Sequence, residues 1–158
     1  MIALALTLAA AAAVVTIDDD GAVTGVLDTP VSAEVLRAKL GDPTWLPAVS
    51  RDGTRVSVVR REGDCLILDS ESPSVITVRY RTRQCPTPTG YSFALVSSDS
   101  FTSYAASWTL TPTASGTRAT YRLVVVSSLW VPQAVVRRST RAGIEQMMTN
   151  LEQWRPPG

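Results

Sequence analysis

The chemistry this sequence offers rests on tyrosine, arginine, serine, cysteine and carboxylate side chains, because its 158 residues contain no histidine. That absence removes Ser–His and Cys–His nucleophile pairs and the commonest zinc ligand. No glycine-rich phosphate loop, dinucleotide fingerprint or His-Glu-x-x-His motif occurs. Three sets of residues remain. Tyr80, Tyr104 and Tyr121 carry hydroxyls on apolar rings in three separate hydrophobic segments. Arg79, Arg81 and Arg83 alternate in "VRYRTR" and would stripe one strand face. Such a stripe is ordinarily solvated, but three like charges so close repel and call for nearby acids, an anionic headgroup or a partner. Asp69 and Glu71 are the nearest acids in that region and are expected at a turn. Proton transfer needs a titratable group inside a pocket, and the sequence places none there. No catalytic residue, cofactor or metal ligand is therefore assigned.

The elements that must position these side chains follow from periodicity and turn residues. Val23 to Leu27 reads as a short strand. Thr29-Pro30 is expected to open a helix, with Thr as N-cap and Pro at the first helical position. Val31, Val35, Leu36 and Leu40 repeat at helical spacing, and Gly41 stops the helix. "TWLPAV" reads as one further helical turn or a loop. "RVSVVRR", "CLILDS", "VITVRYRTR" and "YSFALVS" are then separated by turn signals, and two more strands end near Thr111 and Leu129. This spacing marks an antiparallel meander, about seven strands in all. In the last segment Val136, Ile144, Met147, Met148, Leu151 and Trp154 fall mostly on one face of a long helix. Gly143 weakens that helix unless close packing needs it.

Alternate side chains of a strand share a face. Tyr104, Ala106, Trp108 and Leu110 therefore stand together, as do Ala119, Tyr121, Leu123 and Val125, and Ile76, Val78 and Tyr80. The opposite faces carry Thr, Ser and Arg. A sheet covered on one side and wet on the other has this alternation. Ala94, Ala106 and Ala119 beside large aromatics suggest an unevenly filled interior.

Hydrophobic residues make up 45% of the chain and charged residues 18%, ordinary values for one globular domain. A net charge of +1 gives no reason to expect a nucleic-acid partner. Residues 1–16, apolar apart from Thr7 and Thr16, hold an alanine run at Ala9–Ala13 and lie just before "DDDG", the pattern of a secretory signal peptide. No basic residue precedes the apolar stretch, so an uncleaved N-terminal membrane anchor is the alternative. The folded domain is expected over residues 20–155. Export to the periplasm or beyond would expose Cys65 and Cys85 to oxidation. A tight turn at Glu71–Ser74 would set Cys65 opposite a residue near Tyr80 and keep the thiols apart. Two separate thiols are the expectation, although a longer loop would restore a bridge.

The order strand, helix, short helix, about six strands, long helix resembles the helix-grip fold of the START-like (SRPBCC) superfamily. Polyketide cyclases, pollen allergens and coenzyme Q-binding proteins belong to that group. The resemblance runs from about Gly25 to Trp154, and "VLDTPVSAEVLRAKLGDPTWLPAV", the "SWTLTP…GTRATYRL" hairpin and Val131-Pro132 before the last helix carry it. It implies an α+β fold with a curved antiparallel sheet wrapped around the C-terminal helix and a cavity between them. It further implies binding, and possible transport, of a hydrophobic small molecule such as a lipid, quinone or polyketide. Tyr80, Phe93, Tyr104, Trp108, Tyr121, Leu123, Met147 and Met148 are the expected ligand contacts. The alternatives are a cyclase or dehydratase, or a filled-core interaction module that uses the arginine face. Trp130, at the junction of strand and helix, is a candidate for transient membrane contact, with packing under a loop as its alternative.

Overall fold

The structure, a computed structural model, describes residues 13–45, 53–73 and 77–158. Strands β1 (Val14–Ile17) and β2 (Val23–Thr29) lead into helix α1 (Ala33–Leu40). Six strands follow: β3 (Arg55–Glu62), β4 (Cys65–Ser72), β5 (Val78–Thr87), β6 (Gly90–Ser98), β7 (Phe101–Thr113) and β8 (Gly116–Ser127). Helix α2 (Gln133–Gln153) completes the described elements. The strands form one antiparallel sheet in the order β1-β2-β8-β7-β6-β5-β4-β3. The architecture is thus an α+β helix-grip. The eighth strand, beyond the seven expected, is β1, which lies at the end of the apolar N-terminal stretch. The earlier part of that stretch, residues 1–12, lies outside the described residues, as do residues 46–49 of "TWLPAV" and Ile76.

The long strands carry the alternation that the sequence shows. Ala106, Trp108 and Leu110 of β7 and Ala119 and Tyr121 of β8 are buried on one face. They form a core with Leu27, Leu36, Leu40, Ile144, Met148 and Leu151. Ala94 is a correction: it pairs with Ala105 on the exposed face, while its neighbour Phe93 turns inward.

Helix α1 begins later than Thr29-Pro30 implies. Thr29 ends β2, where its side chain accepts a hydrogen bond from the Val31 amide. Ser32 is the N-cap and accepts from the Val35 amide. A serine three residues downstream serves the same orphan donors as well as Thr29 would, and it leaves Thr29 free to complete the β2–β8 ladder. Gly41 closes the helix, as expected. The Tyr91 hydroxyl donates to the Arg37 carbonyl and the Gln84 amide to the Gly41 carbonyl, so this helix end is tied to the sheet.

The cysteine expectation is overturned. In the β4–β5 hairpin Leu66 pairs with Gln84 and Ser72 with Val78. The connection therefore spans residues 73–77, longer than the tight turn at Glu71–Ser74. Tyr80 pairs with Ser70, and Cys65 comes opposite Cys85 with 4.3 Å between alpha carbons. The two form a disulfide.

The same register explains the arginine stripe. Asp69 and Glu71 stand within β4 rather than at its turn, facing Arg81 and Arg79. Arg81 makes a two-pronged contact with Asp69 at 2.6 and 2.9 Å, and Arg79 meets Glu71 at 2.9 Å. Arg83 pairs with Glu62 of β3. The acids that three close cations require thus lie on β4 and, one strand further, on β3. The hydrogen bond from Arg81 holds the Asp69 carboxyl below its ordinary value.

Candidate functional site

Between the inner face of the sheet and the first half of α2 lies a cavity of about 540 Å³. Its size falls within the range of small-molecule pockets. Tyr121, Leu123 and Val125 from β8, Phe101 and Tyr104 from β7, and Val78 and Tyr80 from β5 supply the sheet side. Val135, Val136, Ser139, Thr140, Gly143, Ile144 and Met147 supply the helix side. None of these lining side chains carries a charge. A carbon added at Gly143 would meet no atom within 4 Å, so this glycine does not serve close packing. It leaves the roof of the cavity open.

The deep wall is aromatic. The Tyr80 and Tyr104 rings lie 5.1 Å apart, and the Phe101 ring lies 5.3 Å from Tyr80 and 5.9 Å from Tyr104. Such separations suit offset ring packing. The hydroxyls of Tyr104 and Tyr121 approach to 3.5 Å. Tyr80 adds a third hydroxyl, in contact with Ser70 and Tyr104. Burial among these rings raises the pKa of all three phenols above the ordinary 10.0. They are therefore neutral hydrogen-bonding groups at physiological pH, able to donate to or accept from an uncharged oxygen.

The eight residues expected to touch a ligand divide into three groups. Tyr80, Tyr104, Tyr121, Leu123 and Met147 line the main cavity. Phe93 and Trp108 lie deeper, on a small recess of about 80 Å³ that also reaches the three tyrosines and Met147. Met148 lines neither space. It is fully buried, with its terminal methyl packed towards Gly25 on β2. Phe101 is the main residue that the sequence reading left out. Three positions separate it from Tyr104, which in a regular strand would send the two to opposite faces. A register shift between Phe101 and Ser103 turns both rings inward.

A second depression of about 710 Å³ opens around Arg55, Asp69, Glu71, Arg79, Arg81 and Asp99. It is larger, but it is lined by charged side chains, among them the Arg79–Glu71 and Arg81–Asp69 pairs, and lacks an apolar wall that would hold a hydrophobic molecule.

Residues 21–153 match the family described as polyketide cyclase / dehydrase and lipid transport. The chain belongs to this family. It is START-like in fold as well as in sequence pattern. A protein from Thermus thermophilus, TTHA0849, superimposes with a TM-score of 0.73 at 18% identity, covering 84% of this chain and 94% of that one. A START superfamily protein from Mycobacterium smegmatis gives 0.67 at 22% identity, over 83% and 94%. The Zhui aromatase/cyclase from Streptomyces sp. R1128 gives 0.65 at 10% identity, over 82% and 87%. At these identities the likeness is one of fold. No curated protein matches the chain in sequence.

Proposed function

We propose that this family member binds, and carries, an uncharged hydrophobic small molecule in the cavity under α2. One observation carries the reading: a 540 Å³ apolar space whose deep wall presents three neutral tyrosine hydroxyls. Burying a ligand there stabilises it by ~0.8 kcal/mol per methylene relative to water. A membrane offers the same gain, so selectivity must come from the hydroxyls and the ring stack. Among the described residues the lining supplies no carboxylate, thiol or cation to move a proton or compensate a charged headgroup, which favours a carrier over a cyclase or dehydratase.

The reading includes export. A Cys65–Cys85 bridge supports it, because disulfides persist in oxidising compartments and are rare in the cytosol. The apolar N-terminal stretch with its alanine run supports it independently.

Native mass spectrometry of the protein purified after export tests both parts. A discrete mass removed by organic extraction is expected, together with a polypeptide mass lower by two hydrogens than that of the free dithiol. A bare polypeptide that also takes up no apolar dye would overturn the carrier reading.

A further inference from the structure

Trp130 is fully exposed. It stands in the junction between β8 and α2, flanked by Leu129 and Val131, which both line the cavity. Val135, in the first turn of α2, lines the same cavity and is 53% exposed. The most exposed large apolar side chain among the described residues is therefore adjacent in sequence to the rim of the apolar cavity. A tryptophan left wholly in water beside such a rim has no packing role to explain it. Tryptophan favours the boundary between water and lipid, where its ring is buried and its N–H stays hydrated.

The charge around it points the same way. No acid occurs between Asp99 and Glu145. Within that stretch Arg118 and Arg122 are paired with Asp28, Asp18 and Asp20, and Arg141 with Glu145. Arg138 has no ion pair among the described residues, and it lies three positions from Val135 on the same face of α2. Arg137 packs beside Gly21, likewise without an ion pair. The first turn of α2 contains no acid, although a helix N-terminus favours one. Across the junction Asp99 accepts a hydrogen bond from the Ser128 hydroxyl at its backbone carbonyl, and its charge acts on Arg79. The rim is thus apolar at its tip and basic behind it.

We propose that the junction Leu129–Val135 docks on a lipid bilayer with anionic headgroups, Trp130 entering the interface and Arg138 facing the phosphates, so that the cavity rim meets the acyl region. The purpose, exchange of ligand with the membrane, rests on the carrier reading above; the docking itself does not.

The test uses the full chain with vesicles of phosphatidylcholine doped with phosphatidylserine. Subtracting the emission of Trp130→Phe from that of the unsubstituted chain isolates residue 130, whatever else holds the chain to lipid. The difference emission is expected to shift to the blue and to be quenched by brominated lipid. Arg138→Ala should need about fivefold more vesicles for the same shift, the equivalent of one cation near an anionic surface. Both substitutions are at exposed positions and should leave the melting temperature unchanged. If residue 130 keeps a water-like emission open to acrylamide, the proposal fails. It fails also if Trp130 is shielded only by a soluble protein, which would make the junction a protein-docking site. Native mass spectrometry of the unsubstituted chain, run beside its vesicle titration, separates the two readings. A retained ligand without vesicle docking overturns the docking alone. Docking by a chain that never holds a ligand overturns the carrier reading alone.

Discussion

The two ends of α2 face the same sheet and do opposite things, and Ile144 and Met147 between them touch both the core and the cavity. In the second half, Ile144, Met148 and Leu151 pack tightly against β2 and the core beneath it. A carbon added to Gly25 would lie 2.8 Å from the Met148 methyl and 2.9 Å from Ile144, so the glycine is what lets strand and helix approach. In the first half, a carbon added to Gly143 would touch nothing, and the helix roofs a cavity. One glycine removes space and the other preserves it. Where a helix-grip protein is solid and where it is hollow is thus decided by single side chains on elements shared by both regions.

Substitutions can break this contrast. The largest effect is expected at the boundary, where Trp108 is 1% exposed between the solid core and the recess. Trp108→Ala should destabilise by about 3 kcal/mol or more in denaturant unfolding and enlarge the cavity. Gly25→Val should overpack the solid half, costing about 1–3 kcal/mol. Gly143→Leu should have the opposite sign: a gain of about 1 kcal/mol in helix propensity, read in the same unfolding experiment, with a loss of apolar-dye uptake. If Gly143→Leu destabilises as Gly25→Val does, the first half of α2 is packed and the cavity reading falls.

The tyrosines sharpen the contrast through pH. Their folded pKa values are raised above 10.0 by burial. Their contribution to stability is therefore full below about pH 10 and is lost as pH rises through the folded values. Tyrosinate absorbance from Tyr80, Tyr104 and Tyr121 should appear together with alkaline unfolding, not ahead of it. The smallest effect is expected on the outer face. The Arg81–Asp69 pair is 35% and 47% exposed, so Arg81→Ala should cost at most about 1 kcal/mol in a thermal melt.

The cavity face was legible in the sequence wherever strands run regularly. Tyr104, Trp108 and Tyr121 follow period two without interruption, and their common face could be read directly. Phe101 could not, because the register shift beside it reverses the parity on which such a reading depends. The disulfide was hidden for a related reason: strand composition does not state how many residues a hairpin connection takes, and each added residue moves the partner of Cys65 along β5. Met147 and Met148 are adjacent and equally apolar, yet Met147 lines the cavity and Met148 fills the core. The 100° turn between neighbours on a helix separates them, and only the placement of β2 decides which side is hollow. The arginine stripe was visible, but its acids lay on strands whose pairing the sequence did not supply.

One feature of the sheet bears on how the protein is made. On one side β2 pairs with β1, and on the other not with β3 but with β8, Val23 opposite Leu123, while β1 holds to β2 alone. During synthesis the first two strands therefore wait, one long edge of β2 unpaired, until β8 has been made. Contacts of such long sequence separation form slowly because loop closure must precede them. The β3–β7 meander can assemble early through local hairpins, but the helix-grip closes only after β8 has joined β2. A chain built this way keeps its sheet unclosed until the strand that joins its two ends has been made.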